Sequence, residues 1–160
     1  MSKILIIAEH DGHQLNPATA KCVSCASKVG GEIHIAVFAV DGAAVAAEAA
    51  QLEGVSAVVQ VNDAKFGHAL AAVIAPEVVA LAAGYSHVFA PSSTFGKDLL
   101  PRVAALLNVN QVSDIMAVSG SHQFKRPIYA GNAIIDVAAP AGLPVVATVR
   151  TASWPAAAPA

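Results

Sequence analysis

The chain is poor in charge. Asp, Glu, Lys and Arg make up only 12% of its 160 residues, against about a quarter in ordinary soluble domains. The nine Lys and Arg form no cluster, and the net charge is −2. That balance excludes a general nucleic-acid binder, which needs a basic stripe. Two cysteines are too few for the disulfide framework of a small secreted domain. No apolar run approaches the ~20 residues that cross a bilayer. The longest uncharged stretch, Val78 to Gly96, is interrupted by Gly84, His87 and Pro91. Ile4 to Ala8 runs straight into Glu9, which is too short for the apolar core of a signal peptide. Neither G-x-G-x-x-G nor G-x-S-x-G occurs, so the dinucleotide fingerprint and the nucleophile elbow of a hydrolase are both lacking. These absences lead us to expect no nucleic-acid partner and no membrane insertion.

What is present is apolar: 56% hydrophobic residues, inflated by alanine, with a mean hydropathy of +0.60. One domain of this length buries about 70% of its unfolded surface, so it needs no disulfide or metal staple. Lys3 to Ala8 is a β-branched run without alternation, the pattern of a strand buried on both faces. Asn16 and Pro17 then open a helix as N-cap and first helical residue, and Gly30-Gly31 ends it. Ile33 to Val40, Ala57 to Val61 and His87 to Ala90 read as further buried strands. The segments from Asp41, Phe66 and Lys97 read as the intervening helices. Pro76 is expected to kink or divide the Phe66 to Ala83 helix, and Pro101 to interrupt the last one early. Strand alternating with helix predicts a parallel sheet covered on both faces. Beyond it, Ile115 to Ser119, Phe124 to Tyr129, Ala133 to Val137 and Val145 to Val149 leave no room for helices, so an antiparallel meander is expected. The fold class is therefore α/β: three layers, Rossmann-like, mostly parallel, with an antiparallel C-terminal extension. Residues 1–153 form the domain, and 154–160, rich in Pro and Ala, have the composition of a linker.

Four constellations could carry chemistry. His10, His13, Cys22 and Cys25 are zinc-ligand types at matched spacing. Against zinc or redox chemistry, Cys22 lies more than a turn past Pro17, where a helix dipole no longer activates a thiol. Ser92 to Lys97 follows a strand and opens a helix, the geometry that holds anions; the same hydroxyls serve equally as a helix cap. It is not a Walker A loop, since Pro91 stands for its first glycine. Glu9-His10-Asp11 ends the first strand and could do acid–base work, but no nucleophile accompanies it. Lys125 to Ala133 interrupts the meander with Pro127 and Gly131, the marks of a docking edge or a protected one.

Several strings together resemble the electron-transfer flavoprotein alpha subunit, over essentially the whole chain: Ile4 to His10, Leu15 to Thr19, Ala90 to Ala105, Gln111 to Ile115, Arg126 to Ala133, and Val149-Arg150. The resemblance implies an N-terminal domain similar to adenine-nucleotide (alpha-hydrolase-like) domains. Such alpha subunits pair with a beta subunit that binds AMP. The heterodimer carries electrons through FAD from acyl-CoA and other dehydrogenases, as in fatty acid beta-oxidation, to a membrane quinone oxidoreductase. It also implies that most FAD contacts come from a second alpha domain, which the 160 residues do not include. The expectation is a scaffold without catalysis, cofactor or metal of its own. Its expected partner contacts are Arg102, Arg126, Tyr129, Gly131 and Asn132. Its compartment is expected to be the bacterial cytoplasm, or the mitochondrial matrix in a eukaryote. The rival reading is a stand-alone adenine-nucleotide-binding module using Ser92 to Lys97.

Overall fold

The computed structural model describes residues 1–160. Strands β1 (Lys3–Ile7), β2 (Glu32–Ala39), β3 (Ala57–Asn62) and β4 (His87–Pro91) alternate with helices α1 (Pro17–Val29), α2 (Ala43–Ala50) and α3 (Ala71–Ala82). After β4 come α4 (Thr94–Leu106), β5 (Gln111–Ile115), β6 (Ala117–Gly120), β7 (Gln123–Ile128), β8 (Ala133–Ala138) and β9 (Val145–Val149). Six strands form one parallel sheet in the order β3-β2-β1-β4-β9-β5, and β6-β7-β8 form a separate antiparallel sheet. The α/β, mostly parallel fold with an antiparallel extension is thus the one expected from the sequence.

One strand is corrected. Val145–Val149 does not join the meander; it inserts between β4 and β5 and runs parallel to both. All five of its residues are buried, the signature of a central strand covered on both faces. The expected strand at Ile115 to Ser119 also divides, into the end of β5 and the start of β6 around Met116. At that edge β5 bulges: Ser113 and Asp114 together face Thr148 alone. Asp114 takes a left-handed φ of 62°, and its amide donates to Thr148 Oγ1 at 2.8 Å. The buried Thr148 thus repairs the ladder bond that the bulge breaks.

Helix boundaries follow local chemistry. Asn16 caps α1 by accepting from the Ala18 amide, Pro17 opens it, and Gly30 ends it at φ 82°. Neither proline divides its helix. Pro76 and Pro101 both lie inside continuous helices, each forgoing one backbone bond. The break falls earlier, between a short 3-10 turn at Ala64–Gly67 and the start of α3. Likewise α4 starts at Thr94 because Ser93 caps it.

Two cores flank the large sheet. One lies against α1 and α2 and includes Cys22, Cys25 and Ile35 from the parallel part with Phe124 from the small sheet. The other lies against α3 and α4, around Leu5, Val88, Leu99 and Leu100. A buried histidine ties the two sheets together. The His87 ring lies 2.8 Å from Ser86 Oγ through Nδ1 and 2.6 Å from the Ser121 carbonyl oxygen through Nε2. Ser121 is in the β6–β7 turn. Residues 154–160, which composition reads as linker, lie along this same face. Trp154 Nε1 donates to the Ile115 carbonyl at 3.1 Å, and the Ala157 amide donates to Ala20. Pro159 bridges to Leu52 just after α2.

Candidate functional site

Strand order reverses between β1 and β4. Helices α1 and α2 lie on one face and α3 and α4 on the other, so the loops after these two strands diverge and leave a crevice at the carboxyl edge. Glu9 to Gln14 leave β1 there. Asp11 Oδ1 accepts from the amides of His13 at 2.8 Å and Gln14 at 2.7 Å. These bonds, that from Gln14 foremost, hold the Asp11 carboxyl below its ordinary pKa. His10 Nδ1 accepts from the Gly12 amide at 3.0 Å, and Nε2 lies 2.9 Å from the Phe38 carbonyl oxygen. Accepting at Nδ1 places the ring proton on Nε2. His10 therefore staples the β1 loop to β2, and both its nitrogens are engaged.

Beside this loop is a cavity of about 430 Å³, walled by Phe38, Phe66, Phe95 and Ile74, with Asp11 and Asp41 also in its lining. Phe38 and Phe66 meet edge to face at 5.4 Å. The walls suit a flat apolar group. Of the Ser92 to Lys97 segment only Phe95 lines this cavity. Ser93 acts as a cap: its Oγ accepts from the Gly96 amide at 3.4 Å and donates to Glu9 Oε2 at 2.7 Å. Gly96 is demanded by space, because a Cβ there would stand 1.7 Å from the Pro91 carbonyl oxygen. Ser92 Oγ is shielded from solvent and has no hydrogen-bond partner.

The cysteine–histidine set does not assemble. Cys22 and Cys25 are buried free thiols in α1. Burial pushes the Cys22 thiol well above its ordinary value, helped by Cys25 and Glu9, and pushes the Cys25 thiol above the range where a thiolate forms. They fill the core as small apolar groups. Nowhere do three His, Cys, Asp or Glu side chains converge as a metal would require.

The expected partner contacts fall in two places. Arg102 is exposed on α4, in the layer opposite the small sheet. Arg126, Tyr129, Gly131 and Asn132 share the β7–β8 hairpin. Arg126 is a strut: Nε donates to the Ser113 carbonyl at 2.7 Å and a terminal nitrogen to Ser113 Oγ at 3.1 Å. Tyr129 is 80% exposed. Tyr129, Ala130 and Gly131 all have left-handed φ, at 52°, 50° and 85°. Asn132 Nδ2 clamps that knuckle on the Tyr129 carbonyl at 2.8 Å. Two residues with Cβ atoms are thus held in a conformation that costs each about 1–2 kcal/mol, at a tip that presents an aromatic ring to solvent. Sequence reasoning missed the Glu9–Ser93 link, whose members stand 84 positions apart, and the Arg150–Asp114 ion pair at 3.5 Å beside the bulge.

A doubly wound parallel sheet with its crevice at the switch point defines a Rossmann-like α/β domain. Within that class the sequence is specific. The family model described as "Electron transfer flavoprotein domain" matches residues 4–160, and the chain belongs to this family. It is 48% identical over 153 residues to the electron transfer flavoprotein subunit alpha of Pseudomonas aeruginosa, covering 96% of this chain and 49% of that one. The alpha subunit of Paracoccus denitrificans is 43% identical over 155 residues, with 96% and 50% covered. The mitochondrial alpha subunit of Dictyostelium discoideum is 42% identical over 161 residues, with 96% and 45% covered. The chain spans about half the length of these relatives. No helix is long and apolar enough to cross a membrane.

Proposed function

We propose that this chain serves as the N-terminal scaffold half of an electron-transfer flavoprotein alpha subunit, with 1–153 as the domain and 154–160 opening the connection to a flavin-holding half. In this reading it has no catalytic step. It pairs with a beta subunit, which carries AMP, and the assembled heterodimer passes electrons through FAD from acyl-CoA and other dehydrogenases to a quinone oxidoreductase. Its compartment is the bacterial cytoplasm or, in a eukaryote, the mitochondrial matrix. The observation that carries the reading is the match to alpha subunits across the whole chain but only half of each relative. The strained, exposed Tyr129 knuckle supports a contact role for the β7–β8 hairpin, because left-handed strain in residues with side chains persists where function uses it.

The purified chain is expected to be colourless and to form a complex with its cognate beta subunit on size exclusion with light scattering. Tyr129→Ala should weaken that complex by about tenfold or more, the loss typical of an aromatic anchor, without changing the melting temperature of the chain alone. Stoichiometric flavin in the chain alone, or no complex with the beta subunit, would sink the scaffold reading.

The cavity favours a second reading, a stand-alone adenine-nucleotide module, since its three phenylalanines suit a flat base. Calorimetry with AMP and ATP separates the two: saturable binding of either supports the module.

A further inference from the structure

The large sheet ends in two edges that are built differently. At the β5 edge the strand bulges, Arg126 donates to the Ser113 carbonyl and Trp154 donates to the Ile115 carbonyl. The β3 edge has no such cover. β3 pairs with β2 alone, in unbroken register from Ala57 opposite His34 to Asn62 opposite Ala39. From Val55 to Asn62 there is no charge and no proline. Charge, proline and bulges are what normally guard a free edge against another strand. The Ser56 amide donates to the Ile33 carbonyl at 2.8 Å. Peptide groups alternate along a strand, so Ala57, Val59 and Val61 turn their amides and carbonyls away from β2. β3 lies at the end of the sheet opposite β5, so what happens here is independent of the contact role of the β7–β8 hairpin.

We propose that β3 is an association edge, which pairs antiparallel with β3 of a second copy of this chain across a two-fold axis at Val59. The occupant follows from the register. Placing the axis on Val59 sets Val59 against itself and Ala57 against Val61, so every outward amide meets an outward carbonyl, about six bonds in all. An axis on Val58 sets Val61 against Val55, and one on Gln60 sets Ala57 against Asp63. The Val55 and Asp63 amides already bond within their own chain, to Leu52 and Ala39. Strand β3 is thus complementary to itself in one register. That register also brings Glu53, before β3, toward Lys65 of the other copy, after it. These charges are opposite, although Lys65 also meets Asp63 and Glu77 of its own chain. A two-fold contact uses the same edge of both copies, so the assembly closes at two. The small sheet offers no rival edge, because β6 has four residues and β8 carries Asp136, ion-paired to Lys125.

Sedimentation equilibrium of the purified chain, from about 1 µM to about 1 mM, tests the pairing. A reversible monomer–dimer equilibrium is expected within that range. Val59→Pro removes the amides at the axis and spares the pairing with β2, since an edge strand tolerates proline where its N–H faces solvent. It should weaken the dimer about tenfold or more. Gln60→Lys, at an exposed side chain, brings like charges across the axis and should weaken it about threefold or more. This second variant keeps the test decisive if the proline disturbs folding. Tyr129→Ala should leave the dimer unchanged. Amide hydrogen exchange reads the register: Ala57, Val59 and Val61 should slow as concentration rises, whereas Val58 and Gln60, bonded to β2, should not change. A chain that is still monomeric at about 1 mM would overturn the proposal. So would a dimer that folded Val59→Pro and Gln60→Lys leave at full strength, species larger than two copies, or concentration-dependent protection that misses Ala57, Val59 and Val61.

Discussion

The two sheets bury their residues differently, and the contrast separates what stabilises the molecule from what it presents. In β4 and β9 every residue is buried; along β8 the residues alternate between half-buried and exposed. The central strands of the parallel sheet are covered on both faces. The antiparallel sheet covers one core with Phe124 and turns Ile134 and Asp136 outward. Substitution in the first should therefore cost stability, whereas substitution on the outer face of the second should cost little.

The sharpest contrast is between two large apolar residues. Phe89→Ala in β4, where the ring is fully buried, should lose about 3–5 kcal/mol in urea unfolding. Ile134→Ala in β8, 57% exposed, should stay within about 0.5 kcal/mol. Equal losses would erase the distinction between the sheets. The link between them should show in acid. Burial, followed by the nearby His122, holds the His87 pKa below its ordinary 6.5, against the opposing bond to Ser121. The unfolded chain then takes the proton first, so stability should fall as pH drops below about 6.5 and level off under the folded value. His34 acts in the same direction, through burial and Lys3. Thermal melts at stepped pH should show a shallower fall for His87→Gln; an unchanged slope would remove His87 from the account. The smallest effect is at the knuckle. Ala130→Gly relieves a left-handed φ of 50° at the expense of extra chain entropy, for a net gain of about 0.5 kcal/mol.

The legible parts of the fold were the local ones. Asn16-Pro17 and Gly30 carry their own geometry, and the run Lys3 to Ala8 declares burial on both faces. Val145–Val149 was misplaced because short spacing pointed to a hairpin, whereas pairing was decided by which neighbours could cover both faces. Its lack of alternation was the available signal. Pro76 and Pro101 were read too literally: packing of α3 and α4 on the second core outweighs one lost backbone bond in each. The site was less legible. Phe38, Phe66 and Phe95 come from separate segments, and only the fold brings them around one cavity. Glu9 and Ser93 were each singled out, but their meeting depends on the adjacency of β1 and β4, which no local pattern encodes.

The docked tail alters how a tether is measured. Reach counts only from the last residue held to the surface. With Trp154 hydrogen-bonded to Ile115 and the Ala160 amide bonded to Gln51, residues 154–160 add none of the roughly 24 Å that such a stretch spans when extended. Whatever follows in a longer chain starts its search from beside α2, and the effective concentration it feels is set by the length beyond that point.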